Sequence, residues 1–294
     1  MRLNRYLLAA SASLIAFAAC QKEYEPYEKG PEDSEGTKTE VYFIDAPSAV
    51  ELTTEDKTYT VTLGRDVTTG SLTVPVEVVF NQYNAFTVPE SVTFNDGEAT
   101  AALEINIEAV EAAKASIIEV RIPSDYYYLY KEYTTANVSH SFKAAITKIT
   151  WETIDTGVYS SCYIGDREDV DLQACKEVPG RYRFVDPFGA GTNIEFIVTG
   201  KEQDNTDPST NYYEQTGKYY NVTVSAQQTG VTHPTYGPIF IIDVATQQAN
   251  NGYLKYNMFF TESHYTQIYV RYGVSAGYLK TNDDVFIPNS MLGE

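Results

Sequence analysis

"ESVTFNDGEATAALEINIE", residues 90 to 108, holds two alternating stretches joined by an aspartate–glycine pair. In the second stretch Ala99, Ala101, Leu103, Ile105 and Ile107 fall on one face of an extended chain, and Thr100, Glu104, Asn106 and Glu108 fall on the other. Successive side chains of a strand point to opposite sides, so this period of two predicts a strand buried on one face and wet on the other. Asp96-Gly97 predicts the tight turn that leads into it.

The same pattern continues on both sides. "TYTVTLGR" (58–65), "LTVPVEVVF" (72–80), "SIIEVRI" (116–122) and "ANVSHSFKAAIT" (136–147) all alternate, and Gly64 and Gly70 punctuate the runs. About seven short strands in roughly a hundred residues predict a β-sandwich over residues 41–148. Pro75 lies inside its run and predicts an edge strand or a bulge, because it has no N–H to give to a ladder. Residues 108–115 are the one stretch here with a helical pattern.

Within this region "FTVPESVTFNDGEATAALEINI", residues 86–107, resembles the Calx-beta family in its "SVTF" strand, its "DGEAT" turn and the alternating strand that follows. The likeness covers residues 41–147. It implies an Ig-like sandwich, a common extracellular module that also occurs in surface lipoproteins of Bacteroidota. Some members bind calcium through acidic residues at one end of the sandwich. That acidic set has no position-by-position match here.

"ITKITWETID" (146–155) leads into further alternating runs that extend to the end of the chain, among them "TNIEFIVTG" (192–200), "GPIFIIDVA" (237–245) and "TQIYVRYGV" (266–274). A second all-β domain is expected over residues 150–294. It resembles the C-terminal regions that follow Calx-beta-like modules in similar lipoproteins. Trp151, the only tryptophan, sits at the seam. It reads as a packing residue, with a sugar platform as the alternative.

The chain opens MRLNRYLLAASASLIAFAAC. Two arginines followed by an uncharged run, too short for a comfortable membrane span, form the layout of a secretory signal over residues 1–19. Phe17-Ala18-Ala19-Cys20 resembles a bacterial lipobox, with Phe17 where Leu is usual. The resemblance implies diacylglyceryl attachment at the Cys20 sulfur, cleavage before it and acylation of the new amine. Several acyl chains anchor stably where a single one does not. Residues 20–40 are acidic, carry prolines and glycines and have almost no aliphatic side chains, so they read as a solvated tether. Gln21-Lys22-Glu23 resembles the lipoprotein export signal of Bacteroidota, which implies an outer membrane location facing the cell exterior. An inward-facing lipoprotein is the alternative.

The formal net charge is −19, and loss of Arg2 and Arg5 with the leader makes it more negative still. Such a chain is a poor partner for nucleic acid or anionic membrane surfaces. Neutral ligands, cations and proteins remain as partners, besides the membrane that holds the lipid anchor.

Cys162 and Cys175 flank "GDREDVD" (165–171). Read as a hairpin tip, with the turn between Glu168 and Asp169, this segment would set the two cysteines opposite each other. A disulfide would then stabilise by roughly 3 kcal/mol. Two reduced cysteines on neighbouring strands are the alternative. Asp166, Asp169 and Asp171 on the same tip are candidate calcium ligands, although their spacing is not that of an EF-hand.

Two tyrosine clusters are candidate ligand contacts: "DYYYLY" (125–130) and "NYYEQTGKYY" (211–220). A tyrosine offers a flat apolar face with a polar tip, which suits sugars and protein interfaces. Tyr126, Tyr127 and Tyr128 follow a turn-like break and read as the docking site. Tyr219 and Tyr220 read as sheet packing. The three histidines have no metal-ligand spacing, and there is no G-x-S-x-G elbow, P-loop or dinucleotide fingerprint. The expected function is non-catalytic binding of an extracellular ligand, a glycan ahead of a protein partner, with a hydrolase hidden in the second domain as a further rival. No cofactor is expected beyond calcium.

Overall fold

The computed structural model describes residues 39–44, 47–128, 139–248 and 252–293. The chain is all-β, and its strands sort into two sets that share no sheet among the described residues.

The first set is a sandwich. One sheet pairs β1 (Val41–Ile44), β3 (Thr58–Arg65) and β7 (Thr100–Asn106). The facing sheet runs β2 (Ala49–Leu52), β9 (Ser141–Lys148), β8 (Ser116–Arg121) and β5 (Glu77–Asn81). β4 (Leu72–Pro75) and β6 (Ser91–Phe94) form a separate pair, and Pro75 ends β4 where the chain crosses to the other sheet. The core takes Phe43, Leu63, Leu103 and Ile105 from one sheet and Ile118, Phe142 and Ile146 from the other. Each large apolar side chain removed from water contributes about 1.5–3 kcal/mol. The face of β7 that carries Leu103 and Ile105 is buried, and Glu104 is exposed, as the alternation requires.

The turn between β6 and β7 has a specific support. Gly97 holds a left-handed φ of +85°. Beneath the turn lies Arg65, only 4% exposed, whose guanidinium donates to the carbonyls of Thr68, Gly70, Asn95 and Glu98. Residues 108–115 correct the expectation of a helix: they form turns, with Ala113 at a φ of +59°.

The second set is a barrel. β10 (Trp151–Ser161), β11 (Gly165–Cys175), β12 (Arg181–Phe184), β13 (Ile194–Asn205) and β14 (Gly217–Thr223) follow one another as antiparallel neighbours. β14 pairs with β17 (Met258–Phe260), β17 with β18 (Thr266–Val274), and β18 with β19 (Gly277–Pro288). β19 also pairs with β10, which closes the ring. The hairpin of β15 (Gln227–His233) and β16 (Gly237–Asp243) is inserted between β14 and β17 and attaches to the far end of β18. A short helix, α1 (Val244–Gln247), follows it. Closure removes the edges of the eight-stranded ring, leaving β15 as the edge of the attached hairpin, and a barrel of about eight strands is just wide enough for side chains to fill its interior.

Here the fill is aromatic: Tyr159, Phe184, Phe196, Phe259, Tyr272 and Phe286 are buried together. Where β10 meets β19, Gly157 pairs with Pro288, and a Cβ on Gly157 would lie 2.2 Å from the Ile287 carbonyl oxygen. Only glycine lets the two strands approach this closely. Sandwich and barrel meet at Arg181, which bonds Glu195 of the barrel and Glu51 of β2, both at 2.7 Å.

The barrel register corrects the cysteine reading. The β10–β11 turn lies between Ser161 and Gly165, and Cys175 pairs with Trp151 at the opposite end of the hairpin. Cys162 sits at the turn. The ten residues of strand between Gly165 and Cys175 span about 33 Å, far beyond the reach of a disulfide. Both cysteines are free.

Candidate functional site

Asp166, Asp169 and Asp171 lie along β11 and not on a loop. Asp166 accepts from Ser160 at 2.5 Å and Asp171 from Thr156 at 2.8 Å, five residues away along the strand. Asp169 occupies the irregular stretch of that strand with a φ of +55°. Among the described residues no group of three or more acidic, histidine or cysteine side chains is placed to hold a metal ion.

The first tyrosine cluster packs against the sandwich. Tyr126 and Tyr127 lie on its core, and the Tyr127 ring stacks on His140 with centroids 3.8 Å apart and planes 6° apart. His140 in turn contacts Glu40 at 2.7 Å, and the Tyr128 N–H donates to the same carboxylate at 3.1 Å. All three tyrosines are half-buried. Trp151 lies under two guanidinium groups, Arg183 at 4.3 Å and Arg181 at 5.2 Å from its ring centroid. Cys20 and the segments 1–19 and 20–38 lie outside the described residues.

The exposed rings gather elsewhere, on the outer face of β18. Ile268, Val270 and Tyr272 point into the barrel core. By alternation Gln267, Tyr269 and Arg271 lie on the outer side of the barrel wall, with Tyr265 just before them; there Tyr265 and Gln267 are buried, Tyr265 in a cluster with Met258, Phe260, Val285 and Ile287. Each of the four meets a further polar or aromatic group. Tyr265 packs edge-on to Tyr213 with centroids 5.7 Å apart, and the Tyr212 N–H donates to Gln267 at 2.8 Å. Tyr253 stacks on Tyr269 at 5.3 Å, with Tyr256 beside it at 6.1 Å. Arg271 sits 4.5 Å over the Tyr278 ring, and Gln247 of α1 donates to the Tyr278 hydroxyl at 2.8 Å. The result is a track that follows β18 for about 20 Å. Its solvent-facing rings are Tyr212 (76% exposed), Tyr213 (38%), Tyr256 (38%) and Tyr278 (68%).

The loop that carries Tyr212 and Tyr213 is held in place. Asn205 and Asn211 donate to the Gln215 carbonyl, both at 2.8 Å, and Asp207 caps the short turn Pro208–Thr210. The "NYYEQTGKYY" cluster therefore divides: Tyr212 and Tyr213 are displayed, and Tyr219 is buried.

One wall of the track is β19. Asp283 lies opposite Tyr269 in the register, and its Oδ1 is buried with no hydrogen-bond partner among the described residues. Burial pushes its carboxyl above the usual range. The next residue, Asp284, faces inward and is fully enclosed. It accepts from Tyr159 Oη at 2.9 Å, from Cys162 N at 2.8 Å and from Tyr272 Oη. Burial raises its pKa to about 6, against the pull of those hydrogen bonds. The Cys162 thiol and both tyrosine hydroxyls are also pushed up, chiefly by burial.

The sequence showed the tyrosines of this track one by one but gave no sign that they belong together. Tyr212, Tyr256, Tyr269 and Tyr278 are spread over more than sixty residues, and only closure of the barrel aligns them.

No known protein family and no curated protein matches the sequence. Solved structures similar to the chain include a Bacteroides ovatus protein of unknown function, at 10% identity over 84% of this chain and 89% of that one, with a TM-score of 0.28. Another is an auxiliary nutrient binding protein from Bacteroides thetaiotaomicron VPI-5482, at 8% identity over 82% and 88%, with a TM-score of 0.29. A third is CBD12 from CALX1.2, at 11% identity over 64% and 79%, with a TM-score of 0.29. Likenesses this weak assign neither an activity nor a ligand. No helix among the described residues is long and apolar enough to cross a membrane.

Proposed function

We propose that this protein is a non-catalytic binding protein that captures an extracellular glycan on the tyrosine track of its barrel. The observation that carries this reading is the set of four exposed rings, Tyr212, Tyr213, Tyr256 and Tyr278, placed beside one strand of a closed barrel. A sugar ring stacks its apolar face on a tyrosine while the hydroxyls at its edge find polar partners. The track supplies such partners in Gln247 and Arg271. A rigid scaffold lowers the ordering cost of binding. Asp283 and Asp284, although adjacent, face opposite sides of the wall and so do not form the paired carboxylates of glycoside hydrolysis.

The reading includes a lipid anchor at Cys20, with the acidic segment 20–40 as tether and the outer membrane as location. It rests on the leader sequence alone. Replacing Cys20 with Ala is expected to release the chain from the membrane fraction, and protease treatment of intact cells is expected to remove the anchored form. Retention of the Cys20→Ala variant in the membrane counts against the anchor.

Binding is tested by probing a glycan array with the full chain and with Tyr256→Ala and Tyr278→Ala. The expected result is a glycan signal that both variants weaken at unchanged melting temperature. Variants that bind like the parent refute the site.

A second reading, contact with a protein partner, draws on β5. There Val78, Val79 and Phe80 are 47%, 47% and 46% exposed on an edge strand. Exposed apolar edge strands are sites of strand addition.

A further inference from the structure

We infer that the tyrosine track takes an extended run of several sugars and not a single sugar, because its exposed rings form three stations set apart along β18. This inference rests on the track being the binding site and names the class of ligand it takes, a linear oligo- or polysaccharide.

The first observation is the spacing. Tyr213, with Tyr212 beside it, packs on Tyr265; Tyr256 packs beside Tyr269; and Tyr278 lies under Arg271. At the rise of an extended strand, the middle station lies about 13 Å from the first and the last about 7 Å further on. A pyranose ring is close in size to the tyrosine ring it stacks on, so one sugar occupies one station. Only a chain of several sugars reaches from Tyr212 to Tyr278. These two end rings are also the most open, at 76% and 68% exposed, so a ligand that covers both gains the most contact.

The second observation is that each station is tied to the barrel. The Tyr212 N–H donates to Gln267 at 2.8 Å. The turn Tyr253–Tyr256 is held by Asn221, which donates to the Leu254 carbonyl at 2.9 Å. Gln247 donates to the Tyr278 hydroxyl at 2.8 Å and accepts from Arg271 at 2.7 Å. The spacing is therefore set before the ligand arrives. Once one sugar is seated, contact with the next station is intramolecular, and such linkage raises affinity by powers of ten without any stronger single contact. Lys255, exposed and with its ammonium 4.9 Å from the Tyr256 ring centroid, adds a hydrogen-bond donor at the middle station.

The experiment begins with affinity electrophoresis of the full chain in gels cast with laminarin, mannan, xylan, alginate or polygalacturonate, neutral and acidic polymers alike. Titration calorimetry then compares the mono-, di- and hexasaccharide of the polymer that retards the chain. It is run for the parent, for Tyr256→Ala and for the double variant Tyr212→Ala/Tyr278→Ala. The hexasaccharide is expected to bind the parent about tenfold or more tighter than the disaccharide. The double variant, stripped of the most exposed ring at each end, is expected to lose most of that advantage at an unchanged melting temperature.

A mono- or disaccharide that binds as tightly as the hexasaccharide overturns the inference. If Tyr256→Ala or the double variant weakens that binding, the track stands as the site and only the extended ligand falls. A hexasaccharide advantage that survives undiminished in the double variant also overturns it, because the end stations then contribute nothing. Binding that every variant leaves unchanged, or retardation by none of the polymers, refutes the track and the inference with it.

Discussion

Asp283 and Asp284 are consecutive on one strand, yet one lies on the outer side of the wall with an enclosed oxygen that has no hydrogen-bond partner among the described residues, and the other is sealed inside the barrel with three donors. The wall of the barrel is one strand thick, so two neighbouring carboxylates occupy opposite environments. Burial raises the pKa of both, and only the inner one has donors that oppose the rise.

Asp284 makes stability depend on pH in a definite sense. Its folded pKa of about 6 lies above the ordinary 3.8, so the folded chain binds this proton more readily than the unfolded chain does. Its contribution therefore improves as pH falls from above 6 toward 4, and a shift of this size corresponds to roughly 3 kcal/mol. Urea unfolding of the parent and of Asp284→Asn at pH 7 and pH 4 isolates the effect, because other groups titrate alike in both. The difference is expected to move in the parent's favour at the lower pH. No movement rejects the raised pKa.

The cysteines give a simple chemical outcome. Both should react with an alkylating agent after unfolding without reductant, and no linked peptide should appear in a non-reduced digest. Cys175 is 5% exposed, so its modification in the native state should be slow. A Cys162–Cys175 linked peptide in the digest contradicts the β10–β11 register.

Tyr127 should behave as a structural residue. Removing its ring by Tyr127→Ala takes away the stack on His140 and contact with the sandwich core. The expected loss is about 1–3 kcal/mol of stability, with glycan binding intact in the folded fraction. The opposite result, lost binding at an unchanged melting temperature, returns the docking site to Tyr126–Tyr128.

Arg65 supports the β6–β7 turn through four carbonyls. Arg65→Met keeps much of the side-chain volume and removes every donor. Several enclosed acceptors then lose their partner, and destabilisation of about 3 kcal/mol or more is expected by chemical denaturation. A loss below about 1 kcal/mol shows that water replaces the guanidinium.

Barrel closure has its own test. Gly157→Ala places a methyl group against the Ile287 carbonyl. The strands must separate, and a lower melting temperature is expected together with faster hydrogen exchange at the β10–β19 pairing. A variant as stable as the parent shows that the barrel wall yields at this point.

The all-β class, the alternating face of residues 99–107 and the turn at Asp96-Gly97 followed from the sequence because they are local. A period of two states which side chains share a face, and an aspartate–glycine pair states where the chain turns. What the alternation leaves open is which strand lies beside which. Cys162 and Cys175 illustrate the limit: a turn placed a few residues from its true position made them partners, and the real register puts them at opposite ends of a hairpin. The barrel itself depends on β19 returning to β10, so that Tyr159 and Asp284, separated by 125 positions, share a hydrogen bond. The tyrosine track is a product of that closure. Its rings come from a loop, a short turn and two strands, and only the tertiary structure sets them on one outer face, because the contacts that align them are long-range and leave no periodic trace in the chain.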